Sequence, residues 1–134
     1  RPSIMANGTI AFDTLQTSDS VNTGTSKTLD TSYLYNGSAK YWVRFQGTGS
    51  GVRDSFNHTS ITDHGTGSYS LVINNNMNNA LYAIVIHESD WRTVGTENDT
   101  DQTTTQIDLT GRAPSTAAAL DPVEVSLAVL GDLA

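Results

Sequence analysis

The chain is 134 residues long, carries a formal net charge of −7 and contains no cysteine. That length fits one domain able to bury about two-thirds of its unfolded surface. The acidic balance argues against binding a nucleic-acid backbone, since no surplus of Lys or Arg is available to displace counterions, and the missing thiols exclude a disulfide framework and a thiolate metal site.

Seven segments read as strands. The first, 8–15, has Ile10, Phe12 and Leu15 as apolar anchors, and a polar connection leads to a second at 28–34. Residues 40–46 place Tyr41, Val43 and Phe45 on one face and Trp42 and Arg44 on the other. Strands over 52–57 and 68–73 follow Gly-Thr-Gly turns, the latter with Tyr69, Leu71 and Ile73 on one face. Residues 80–87 are apolar on both faces, which predicts a central strand with Val85 in the core. The last strand, 123–130, turns Val123, Val125, Leu127 and Val129 inward.

No segment sustains an apolar i, i+3, i+4 pattern, so helix is limited to one turn at 115–120, between Pro114 and Asp121-Pro122. Two polar loops, 88–106 and 111–121, are longer than a turn requires. The spacing predicts an all-β, antiparallel sandwich of jelly-roll type with seven to eight short strands and an extended N-terminal arm. Residues 1–26 form the expected strand and attachment arm, and 27–134 the sandwich. Met5 reads as a natural start, which makes 1–4 a tag remnant or an upstream extension. No apolar run is long enough to span a bilayer, and no signal-peptide core is present at the N-terminus.

The residues that invite chemistry do not assemble into a signature. His58, His64 and His87 show no HxH or HxxxH spacing, so no metal site is expected. Asp99-Thr-Asp101 lacks the glycine and terminal glutamate of a calcium loop. Ser55, His58, Ser60 and Asp63 lie close together without a G-x-S-x-G elbow. The expectation is therefore no catalytic residue and no cofactor. Arg53 and Asp54, adjacent after a glycine turn, point to opposite faces and do not pair with each other; Arg44 or Asp63 across the strand completes a partly buried ion pair with them in one reading, and they stay solvated in the other. Trp91, with Arg92 beside it in a polar loop, is the candidate contact for a ligand such as a glycan. Trp42 is the second candidate, or else part of an intersubunit seam. Asn36, Asn57 and Asn98 each begin a glycosylation-type triplet, which so Asn- and Thr-rich a chain produces by chance.

Lys40-Tyr-Trp-Val-Arg-Phe-Gln-Gly-Thr-Gly49, Arg53-Asp-Ser-Phe-Asn57 and Ser60-Ile-Thr-Asp-His-Gly-Thr-Gly-Ser-Tyr69 resemble a module of small virion proteins of tailed phages, particularly marine ones. Thr9-Ile-Ala-Phe-Asp-Thr-Leu15, the Asn-rich turn around Met77 and Leu127-Ala-Val-Leu-Gly-Asp-Leu-Ala134 are similar to other parts of those proteins. The resemblance implies a β-rich, non-enzymatic virion component, a homotrimer, and leaves its place on the particle open. It brings no catalytic residue. The expected role is a surface-displayed tail-fibre or appendage component in contact with other virion proteins. A capsid cement or decoration protein and a carbohydrate-binding module are the alternatives.

Overall fold

Period-two alternation and glycine turns are realised as antiparallel sheets in a computed structural model that describes residues 14–16, 28–49 and 51–134. The chain divides into two compact units, 1–35 and 36–134. In the first, β1 (Thr14–Gln16) pairs antiparallel with β2 (Thr28–Asp30). The strand expected over 28–34 stops there, and helix α1 (Thr31–Gly37) begins at once. The cause is local: Asp30 Oδ1 accepts the Ser32 N–H at 2.8 Å and so satisfies a first-turn donor. Most of the strand expected at 8–15, and most of the attachment arm, lie outside the described residues.

Eight further strands are β3 (Ala39–Gln46), β4 (Gly51–Phe56), β5 (His58–Gly65), β6 (Ser68–Ile73), β7 (Ala83–Glu88), β8 (Thr93–Gly95), β9 (Gln106–Arg112) and β10 (Val125–Leu130). They form two four-stranded antiparallel sheets, in the orders β4-β3-β10-β7 and β5-β6-β9-β8. The fold is an all-β sandwich. The core is the set of inward side chains that the alternation marks: Tyr41, Val43, Phe45, Val125, Leu127 and Val129 from the first sheet, and Tyr69, Leu71 and Ile73 from the second. Ile107 and Leu109 of β9 join it, with Met77 and Tyr82 from outside the strands. Phe45 and Tyr69 meet across the two layers with ring centroids 5.5 Å apart.

The structure corrects several expectations. Residues 80–87 are not a central strand: β7 is a sheet edge, paired only with β10. Its inward residues are Ile84 and Ile86, and Val85, expected in the core, is 58% exposed on the opposite phase. Val123 precedes β10 and is exposed as well. The turn proposed at 115–120 does not become a helix. The 88–106 loop contains β8 and a 3₁₀ turn, Asp99–Asp101, and Gln106–Arg112 is an interior strand of the second sheet.

Both lateral edges of the sandwich are closed by chain crossing from one sheet to the other. On one side β4 passes to β5 through the single residue Asn57, at φ 58°. Asparagine tolerates this left-handed conformation. Its side chain locks the corner, donating to Lys40 O at 2.9 Å and Asn75 O at 3.1 Å and accepting the Asn75 N–H at 2.6 Å. On the other side β7 passes to β8 through a turn containing Trp91, at φ 59°. One end of the sandwich is sealed by a polar knot: Tyr69 Oη donates to Asp121 Oδ1 at 2.7 Å and Gly47 O at 3.1 Å, while the Gly47 N–H binds Pro122 O at 3.0 Å. Gly47 is required there, because a Cβ would lie 2.4 Å from Pro122 O.

Candidate functional site

The outer face of the first sheet is not polar, as alternation would ordinarily leave it. The register sets Trp42 opposite Phe56 on β4 and Ala128 on β10, and Ala128 opposite Val85 on β7. Cross-strand partners share a face. Phe56, Trp42, Ala128 and Val85 therefore form one apolar row across all four strands, with Phe56 and Val85 more than half exposed. A groove of about 360 Å³ opens on this row, lined by Trp42, Arg44, Val85, His87, Leu127 and Ala128.

The next row is polar, Asp54–Arg44–Ser126–His87. A register shift between Arg44 and Phe45 leaves Arg53 as an extra residue on β4, a bulge. The register sets Asp54 opposite Arg44, but both arginines turn to Glu124. Arg44 forks onto both Glu124 oxygens at 2.9 Å, and Arg53 Nε reaches Glu124 Oε1 at 2.8 Å. The Arg44 hydrogen bonds, aided by both positive charges, hold the Glu124 carboxyl below its ordinary value. Arg44 thus stands fixed at the rim of the groove.

Trp91 stands at the β7–β8 crossover and is 92% exposed. Its turn is held from several sides. Glu88 Oε2 accepts the Asp90 N–H at 2.7 Å and the Arg92 N–H at 3.0 Å. The Arg92 guanidinium donates to Asp121 O and pairs with Asp90 Oδ2 at 3.1 Å. Arg92 is therefore a brace for the turn, not an open contact. Neither the groove at Trp42 nor a second cavity of about 480 Å³, beside Leu81, Glu97, Asp99 and Gln102, is lined by Trp91. The three aromatic and basic candidates are thus distributed: Trp42 in the groove, Trp91 projecting from the edge, and Arg92 beneath it.

The histidines serve other contacts. His58 Nδ1 lies 2.8 Å from Tyr41 Oη, its Nε2 is buried without a protein partner, and burial holds the imidazole below its ordinary value. His64 Nε2 is 2.7 Å from Ser70 Oγ, and Ser70 Oγ donates to Asp108 Oδ1 at 2.5 Å. This is a Ser–His–Asp set in the wrong order for nucleophile activation. The serine proton is directed at the carboxylate, so His64 faces the hydroxyl as a donor and not as its base. Asp101 accepts the Glu97 and Asn98 N–H groups at 2.7 and 2.9 Å, using its carboxylate to close the 3₁₀ turn. Among the described residues no cluster of three or more His, Cys, Asp or Glu could hold a metal ion, and no helix is long and apolar enough to cross a membrane. Both amide protons of Asn57 are engaged at its corner, which removes that triplet as an open acceptor.

Sequence reasoning identifies Trp42 and Trp91 but misses Phe56 and Val85 as parts of one surface. The signal for Val85 is present in the two-faced apolarity of 80–87, which reflects an apolar outer face and not burial. Compared with family models, with curated proteins and with solved structures, the chain matches none.

Proposed function

We propose that this chain is a non-enzymatic structural protein displayed on a tailed-phage virion, a component of a tail fibre or appendage that contacts copies of itself and neighbouring virion proteins. The observation that supports an assembly role is the apolar row Phe56–Trp42–Ala128–Val85, set on the outer face of a regular sheet. A continuous apolar strip rimmed by charge is a contact surface, and left uncovered it is an aggregation liability. The resemblance of residues 39–73 to phage virion modules supplies the particle. The expected homotrimer would use this strip as its seam.

A capsid cement protein is the second reading, favoured by a sandwich with no coiled coil or repeat among the described residues. Quantitative mass spectrometry of purified particles tests both. A few to a few tens of copies per virion assign it to the tail, hundreds assign it to the capsid, and absence from the particle refutes the proposal.

A further inference from the structure

We infer that two copies of this chain pair antiparallel through the free edge of β7, about a two-fold axis at Val85, so that their first sheets join into one. An edge strand presents unpaired N–H and C=O groups, and sheets ordinarily blunt such edges. Three of the four edge strands here are blunted: β4 by the bulge at Arg53, β5 by two shifts of register, and β8 by its length of three residues. β7 is not. It runs six residues against β10 without a shift and contains no proline, glycine or lysine. The chain leaves for β8 only after Glu88.

The hydrogen-bond phase of β7 is fixed at its end. Ser89 N–H donates to Glu124 O at 3.2 Å, one step beyond the Glu88–Val125 pair. Hydrogen-bonded pairs alternate along an antiparallel ladder, so Ala83, Val85 and His87 direct their backbone groups to β10. The N–H and C=O of Ile84 and Ile86 therefore point to the open side. Gln102 takes the carbonyls of Ala80 and Tyr82 just before the strand, but among the described residues no hydrogen bond reaches the outward groups of Ile84 and Ile86. Their side chains are left unfinished as well. Both point inward yet are only partly buried, whereas Val125, Leu127 and Val129 on the adjacent strand are at most 3% exposed. One more strand would cover them.

The order of residues around Val85 identifies that strand as a second copy. With Val85 opposite itself, Ile84 meets Ile86 of the other copy and Ile86 meets Ile84, each in a hydrogen-bonded pair. All four open backbone groups are satisfied, and isoleucine packs on isoleucine. On the outer face Val85 meets Val85 and Ala83 meets His87, with no like charges opposed. Shifting the register by two residues either sets Ile84 against Glu88 or sets Ile86 against Tyr82, whose carbonyl Gln102 already holds. The contact is isologous and closes at two copies. It lies in the plane of the sheet, and depends neither on the outer row as a trimer seam nor on which particle carries the chain.

A six-residue strand pair is smaller than the roughly 800 Å² per partner of a standard interface, so trapping is the suitable test. The chain contains no cysteine, and a single introduced thiol reports alone. Residues opposed in a non-hydrogen-bonded pair lie about 4.5 Å apart at Cα, within reach of a disulfide. Full-length Val85→Cys at roughly 100 µM under mild oxidation is expected to give a disulfide-linked dimer. Ala83→Cys and His87→Cys, also exposed, should cross-link poorly alone and to one another when mixed. Adding Ile86→Pro, which removes an edge-directed N–H and leaves the β10 ladder intact, should abolish the Val85→Cys dimer while circular dichroism shows the fold retained. A Val85→Cys chain that dimerises no faster than His87→Cys overturns the inference, whatever the proline variant does. So does a cross-link that survives Ile86→Pro in a folded chain. A parent that sediments as a trimer without this cross-link would keep the outer row as a seam and refute the edge pairing. The virion copy count decides the proposed function separately.

Discussion

Replacing Trp91 separates what its backbone costs from what its side chain contributes. At φ 59° the residue occupies a region that costs a non-glycine residue about 1–2 kcal/mol. Because the side chain is 92% exposed, truncation forfeits almost no burial within the monomer. Trp91→Ala should therefore leave stability within about 0.5 kcal/mol of the parent, since alanine keeps the same strain. Trp91→Gly removes the strain but adds freedom to the unfolded chain worth about 0.4–1 kcal/mol. The net expectation is a gain of about 0.5–1 kcal/mol over the alanine variant. For a unit of this size that is a rise in Tm of roughly 2–8 °C. Urea unfolding of the three proteins, at concentrations too dilute for self-association, reads the difference directly. A glycine variant no more stable than the alanine variant would refute the reasoning.

Gly47→Ala forces a Cβ to within 2.4 Å of Pro122 O and strains the buried hydrogen bond at that corner; we expect a loss of about 3 kcal/mol, read as a lower urea midpoint. Tyr69→Phe removes the donor shared by Asp121 and Gly47 and should cost about 1–3 kcal/mol, with the fold retained in far-UV circular dichroism. Stability should also decline with acid in two stages. His58 is held below 6.5 by burial, so on acidification through that value the unfolded chain takes up a proton before the folded one does; His58→Gln should flatten this first stage in a stability–pH profile. Glu124 is held below 4.5 by Arg44 and Arg53, so its contribution is intact above that value and is lost as pH falls through the lower folded value; Glu124→Gln should shrink only this second stage, to which Asp30 and Asp101, also held low by hydrogen bonds, contribute the rest.

The sheets are legible in the sequence wherever inward positions are consecutively apolar. Tyr41, Val43 and Phe45 define β3, and Tyr69, Leu71 and Ile73 define β6, by alternation alone. β5 escapes because Ile61 is its one large apolar residue, and its histidines look like turn chemistry. β9 carries a clear alternation through Ile107 and Leu109, obscured by the polar runs on either side. Helix α1 buries no residue, so it leaves no amphipathic trace, and the capping Asp30 is its one local cue. The apolar row is a matter of register. That Trp42 lies on the outward phase follows from its neighbours, but its alignment with Ala128 and Phe56 depends on a bulge and on pairing between distant segments. A single sequence does not encode that pairing in any local pattern.

The strand order of the first sheet has a consequence for biosynthesis. β10, the last strand in chain order, is seated between β3 and β7, both synthesised long before it. During translation the β3–β4 hairpin therefore waits with one edge open. That edge offers unsatisfied amides beside Tyr41, Val43 and Phe45 to any nascent neighbour until β10 emerges and inserts. Folding of this layer thus waits until β10 has been made and is slow for its size. A cell expressing the protein in quantity has to keep many half-finished chains apart for that interval, which makes chaperone capacity and growth temperature the determinants of soluble yield.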